Sequence, residues 1–150
     1  MDPVELFSIR GKTAVVTGGS RGIGKMIATG FVAAGARVYI CARKADACDA
    51  TAAELSRLGE CISVPADLST LAGAEEFSAR IAEREPKLHI LVNTAGADWC
   101  ATREVYPDPA FDNVLTVHIK SIFHITRLTL HTSHPTATRA APAPPPNHTP

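Results

Sequence analysis

The stretch AVVTGGSRGIGKM, from Ala14 to Met26, restricts this chain more than any other part of it. The run TAVVT at 13–17 has the length and composition of a buried strand, and glycines at 18, 19, 22 and 24 follow at once. Ile23, Ile27 and Phe31, with Met26 beside them, then repeat at helical spacing until Gly35 stops the pattern. A strand that turns through glycine into a helix offers backbone N–H groups and the positive end of the helix dipole to whatever lies outside the turn. Phosphate is the ligand such a turn suits.

Two phosphate loops can be spelled from these letters. Gly19 to Lys25 fits G-x-x-x-x-G-K, the loop of nucleotide triphosphatases, which needs Ser or Thr next so that a hydroxyl can bind magnesium. Met26 stands there, and its thioether is a poor ligand for a hard cation. The other spelling is TGGSRGIG at 17–24. Here Gly18, Gly22 and Gly24 allow a tight turn and a close approach of backbone to a pyrophosphate, with Ser20, Arg21 and Ile23 between them. Without a ligand the same glycines would simply permit the turn.

The rest of the chain repeats the strand–helix alternation. Strands are expected at 37–42 (RVYICA), 61–65 (CISVP) and 88–93 (LHILVN), and helices at 46–58, 69–85 and 108–130. The last helix is read as one long or kinked element with Phe111, Leu115, Ile119, Ile122 and Phe123 on its apolar side. Helices of this length between strands imply a parallel sheet with right-handed crossovers. Strands that are continuously apolar imply cover on both faces.

The chain has 150 residues, enough for one domain. Its formal net charge is zero, so no field draws nucleic acid or an anionic membrane to it. No apolar run approaches the ~18 residues of a membrane span, and the start MDPVELFSIRGK does not read as a secretory signal. A cytoplasmic location is therefore expected, with four cysteines held as free thiols. A zinc site built from Cys100 with His118, His131 or His134 is the weaker reading, because the spacing is wrong. Composition changes at 131–150, HTSHPTATRAAPAPPPNHTP, which holds six of the eleven prolines and no Leu, Ile, Val, Phe or Met. That segment is expected to be a disordered tail following a domain at 8–130.

Three motifs at successive strand ends resemble the short-chain dehydrogenase/reductase family. TGGSRGIG at 17–24 is similar to its TGxxxGxG cofactor motif, and Asn93-Thr94-Ala95-Gly96 to its NNAG motif. Asp67-Leu68 matches the position whose carboxylate receives the adenine amino group, although Asp67 would also serve to cap the helix that follows. Within the family the chain looks most similar to bacterial 3-oxoacyl-thioester reductases and their rhamnolipid-pathway relatives. The resemblance implies a Rossmann-type doubly wound α/β fold with strand order 3-2-1-4, cut off after the fourth strand and its helix. It also implies a small-molecule dinucleotide as ligand, held by Gly18, Ser20, Arg21, Gly22, Ile23, Gly24, Arg43, Asp67, Leu68, Asn93, Ala95 and Gly96. No acid follows the second strand until Asp46, whereas Arg43 and Arg21 suit a 2′-phosphate, so NADP(H) is expected over NAD(H).

The resemblance also implies a catalytic Tyr-x-x-x-Lys, which this chain does not contain. Tyr39 is followed four residues on by Arg43, and Tyr106 by Ala110. His118 stands where the family usually has Asn. The expectation is an oxidoreductase-like chain that keeps the dinucleotide motifs and is inactive alone. A non-enzymatic dinucleotide-sensing or partner-binding module, or a fragment without function, is the alternative. With the family's dimer helices incomplete, a family-type homo-oligomer is not expected.

Overall fold

The computed structural model describes residues 3–97 and 100–133. After a single turn of helix, α1 (Pro3–Leu6), the chain alternates strictly: β1 (Thr13–Thr17), α2 (Gly22–Ala33), β2 (Arg37–Cys41), α3 (Ala45–Leu55), β3 (Cys61–Ser63), α4 (Leu71–Arg84) and β4 (Ile90–Asn93). It closes with α5 (Asp108–Leu115), a π turn at Thr116–Lys120, and α6 (Ser121–Ser133). The four strands form one parallel sheet in the order β3-β2-β1-β4, the order that the family resemblance implies. The register pairs Thr13 with Arg37 at the foot of the sheet, and Thr17 with both Cys41 and Asn93 at its upper rim.

Strand alternation divides the core in two. Ala14 and Val16 of β1 face Ala28 and Val32 of α2 and Cys48, Ala52 and Leu55 of α3. Val15 faces the other way, with Tyr39, Phe77 and Ile81 of α4, and Ile125 of α6. Every residue of β1 is buried, which is what a central strand covered on both faces requires. Thr70 caps α4, its side chain accepting a hydrogen bond from the Gly73 N–H at 3.1 Å.

The helix faces depart from expectation. In α2, Ile23 and Met26 are both 72% exposed, and the buried residues are Gly24, Ala28 and Val32. Small side chains bring this helix close to the sheet, so the large ones at its start are left outside. The last helix departs more. Phe111, Leu115, Ile119 and Phe123, expected to face the core, are exposed. The buried positions are instead Ala110, Val117, Ser121, Ile125 and Thr129. The π turn supplies the kink and sets the phase of α6 relative to α5. Helix α6 also runs three residues beyond the expected end at 130, to Ser133. Of the expected tail, residues 134–150 lie outside the described residues.

A polar network ties the strand starts together at the foot. The buried carboxylate of Glu85, just past α4, accepts from the Tyr39 hydroxyl at 2.6 Å, the Arg37 guanidinium at 3.0 Å and the Thr13 hydroxyl at 3.2 Å. Burial alone would raise the Glu85 pKa, but these donors outweigh it and hold the carboxyl below its usual range. Beside it, the Thr13 N–H donates to His89 Nδ1 at 3.0 Å, and the His89 N–H donates to the Thr13 carbonyl at 3.0 Å. Desolvation, with Lys12 and Lys87 nearby, lowers the His89 pKa. A base whose folded pKa lies below its unfolded value, about 6.5, binds protons more readily in the unfolded chain. Its contribution is complete above that pH and is lost as pH falls through the folded value. Urea midpoints are therefore expected to decline from pH 7.5 to 5.5, and His89→Gln should flatten that part of the slope.

Candidate nucleotide site at the carboxyl ends of the strands

The rim is built around Thr17, the last residue of β1 and only 1% exposed. A buried hydroxyl must find partners, and this one accepts from the N–H groups of Thr94 and Ala95 at 3.1 and 3.2 Å while donating to the Val92 carbonyl at 3.4 Å. The Thr94 hydroxyl returns a hydrogen bond to the Thr17 carbonyl. The two loops that leave β1 and β4 are thereby stitched to each other.

Two glycines let them approach. Gly18 has φ +70, and a Cβ there would lie 2.8 Å from the Ala95 nitrogen and the Thr94 carbonyl oxygen. A Cβ on Gly24 would strike the Gly18 carbonyl oxygen and lie 2.6 Å from Thr94 Oγ1. Gly22 is different: its φ is +55, yet nothing lies within 4 Å of where its Cβ would be. Gly18 and Gly24 thus fasten loop to loop, whereas Gly22 leaves the approach to the helix open. Arg21 is the N-cap of α2, with extended backbone and no side-chain cap. The first N–H groups of α2 therefore have no side-chain acceptor from the cap residue, as a helix that receives an anion requires.

The structure sets Gly18 and Gly24 against the 94–95 backbone, next to Asn93 in register with Thr17 and Gly96 beside His118; Ser20 is half-buried and Arg21, Gly22 and Ile23 are exposed in the same loop. Arg43, exposed just past β2, lowers the pKa of Asp67 through its charge, but the larger effect on Asp67 is its bond from the Ser69 hydroxyl. Asp67 Oδ1 accepts from that hydroxyl at 2.7 Å and from the Ser69 N–H at 3.0 Å. It therefore organises the turn into α4, while Thr70 is the cap. The Leu68 side chain does not join the cluster: it is buried in the core beneath the sheet with Val64 and Phe77. Lys25, the lysine of the set-aside triphosphatase spelling, is turned away and pairs with Glu54 of α3 at 2.7 Å.

His118, from the π turn, reaches the far side of the cluster. Its Nε2 lies 3.2 Å from the Ala97 nitrogen and 2.8 Å from the Ala97 carbonyl oxygen, so it accepts from one or donates to the other according to tautomer. A Cβ on Gly96 would meet the His118 ring at 3.0 Å. Thr17 and Thr94 hold the site together, yet neither stood among the expected site residues. The signal was a hydroxyl at the carboxyl end of each of two apolar strands. Among the described residues, no group of His, Cys, Asp and Glu is placed to hold a metal ion, and no helix is long and apolar enough to cross a membrane.

Comparison with known proteins gives this geometry its relatives. The family described as short chain dehydrogenase matches residues 12–137. A rhamnolipids biosynthesis 3-oxoacyl-[acyl-carrier-protein] reductase of Pseudomonas aeruginosa is 50% identical over 117 residues, covering 78% of this chain and 46% of that protein. A D-beta-hydroxybutyrate dehydrogenase of Cupriavidus necator is 37% identical over 125 residues, covering 81% and 48%. Among solved structures, the Pseudomonas aeruginosa RhlG/NADP active-site complex superimposes with a TM-score of 0.85 at 45% identity, over 93% of this chain and 54% of that one. The chain thus spans about half the length of these relatives. The matched residues include every strand of the sheet and both loops at its rim, and the chain belongs to the short chain dehydrogenase family.

Proposed function

We propose that this chain holds the adenosine and pyrophosphate end of NADP(H) at the rim of its sheet. The observation that carries the reading is the uncapped start of α2 beside Gly22, whose missing Cβ leaves open space. There the first-turn N–H groups would receive a pyrophosphate. Arg21 and Arg43 are exposed, and neither is in an ion pair among the described residues, so both are free to meet a 2′-phosphate. A relative of this chain was solved with NADP, and L-sorbose reductase from Gluconobacter frateurii, 29% identical with a TM-score of 0.76, with NADPH and L-sorbose. On this reading the remainder of the dinucleotide would run past Asn93, Ala95 and Gly96.

The bound nicotinamide supplies a hydride; the protein must supply a proton. Neither tyrosine of these 150 residues is suited to that task. The Tyr39 hydroxyl is committed to Glu85 at the foot of the sheet, where burial first and that carboxylate second push its pKa up to about 12. Tyr106 has Ala110, not lysine, four residues on. Our reading is an oxidoreductase-family chain whose 150 residues keep the dinucleotide motifs and hold no tyrosine placed to move the proton; a dinucleotide-sensing or partner-binding module is the alternative.

The test is a titration of the purified chain with NADPH and NADH, followed by addition of a carbonyl substrate. NADPH is expected to bind more tightly than NADH, and both Arg21→Ala and Arg43→Ala should narrow that gap by about tenfold, the worth of one charge-assisted contact. No loss of NADPH absorbance on adding ketone is expected. Equal affinity for the two nucleotides would overturn the cofactor assignment, and steady NADPH oxidation would overturn the absence of a proton donor.

A further inference from the structure

Helix α3 is built largely of alanine, ADACDATAAEL, and Thr51 is its one β-branched residue. Threonine is a poorer helix former than the alanines around it. It is nevertheless buried at 5% exposure, on the side of α3 that faces the glycine loop. Its hydroxyl donates to the Ser20 carbonyl at 3.0 Å, across 31 residues of sequence. One turn further on, Glu54 pairs with Lys25 of α2, so the same face of α3 grips the loop and the helix that follows it.

The bond to Ser20 has a geometric consequence. All peptide bonds described are trans, so the C=O of Ser20 and the N–H of Arg21 point in opposite directions from one rigid plane. With the carbonyl held toward α3, the Arg21 N–H faces away from it. The next carbonyl, that of Arg21, is held separately by the Lys25 N–H at 3.2 Å. Arg21 is therefore fixed on both sides, and the direction in which its side chain leaves the loop is set by a residue of another helix. The pyrophosphate-facing turn at Gly22–Gly24 is held independently, by α2 and by the packing of Gly24 on Gly18 and Thr94.

We infer that Thr51 is a positioning residue for cofactor choice: it aims Arg21 at the 2′-phosphate and thereby sets the preference for phosphorylated over unphosphorylated adenosine. The inference rests on the proposed nucleotide site and adds to it a residue that touches no ligand.

The probes are 2′,5′-ADP and 5′-AMP, titrated into the full chain and into Thr51→Val and Thr51→Ser. Thr51→Val keeps the shape and removes the donor. Its affinity for 2′,5′-ADP is expected to fall about five- to tenfold, the worth of one hydrogen bond, with less than about a twofold change for 5′-AMP. Thr51→Ser retains the donor and should behave like the parent with both. Trypsin gives a readout without ligand: cleavage after Arg21 should quicken several-fold in Thr51→Val and stay unchanged in Thr51→Ser. Should Thr51→Val not fold, Thr51→Ala removes the same donor and takes its place. A Thr51→Val chain that still discriminates like the parent, or that loses both ligands equally, overturns the role of Thr51 and leaves the nucleotide site intact. A parent chain that does not favour 2′,5′-ADP overturns the site and this inference together.

Discussion

Gly24→Ala is expected to cost about 2–4 kcal/mol of stability and to abolish NADPH binding. The new Cβ would clash with the Gly18 carbonyl oxygen and crowd Thr94 Oγ1. Both neighbours are held by other bonds: Gly18 follows directly on the Thr17 backbone, and Thr94 is hydrogen-bonded to both the hydroxyl and the carbonyl of Thr17. Relief therefore requires either α2 to lift from the sheet or the 94–97 segment to leave the glycine loop, and overpacking with backbone displacement carries costs of this size. Gly22→Ala is the control. It forces a side chain into φ +55, a strain of about 1–2 kcal/mol, but meets no atom within 4 Å. Urea titrations should rank the two clearly, with Gly22→Ala still folded. Equal midpoints for Gly24→Ala and the parent would show that the two loops are not packed as described.

Glu85→Ala is the second large effect, at the other end of the sheet. It strips the acceptor from the buried Tyr39 hydroxyl and from the Thr13 hydroxyl, and removes one of two carboxylates paired with Arg37. Arg37 is 45% exposed and keeps Glu60 at 2.7 Å, so its charge remains solvated and the loss falls mainly on the two hydroxyls. Each buried donor left without a partner costs about 1–3 kcal/mol, for a total of about 2–6 kcal/mol. Glu85→Gln keeps an acceptor for Tyr39 and should cost about half as much. The charge effect has a direction in pH: a carboxyl whose folded pKa is depressed stabilises the fold above its unfolded value, near 4.3, and loses that contribution as pH falls through the folded value. The difference between Glu85→Gln and the parent is thus expected to shrink below about pH 4. A difference that stays constant to about pH 3 would show that charge plays no part.

The central strand was legible because burial on both faces leaves little choice of residue. TAVVT matches β1 at both ends, the parallel pairing followed from the alternation, and the strand order from the family resemblance. Helix faces were not legible in the same way. Weighting large apolar residues put Ile23, Met26, Phe111 and Phe123 inside, whereas close helix–sheet and helix–helix approach selects Gly24, Ala28, Ser121 and Thr129. The π turn at Thr116–Lys120 adds to this, since a wider turn shifts the phase of the helix beyond it and has no composition signal of its own. At the site, the glycine motif and the Asn93–Gly96 segment could be read as motifs. Thr51 could not, because its partner is a backbone carbonyl 31 residues away and any sequence offers a carbonyl there.

The Glu85 cluster joins the beginnings of β1 and β2, and the Thr17 cluster joins the ends of β1 and β4. The five residues of β1 are the span between them, and no side chain belongs to both. The protein therefore has a separate anchor at each end of β1. Changes at the two ends should combine additively, which leaves the upper rim free to vary without weakening the anchor at the foot.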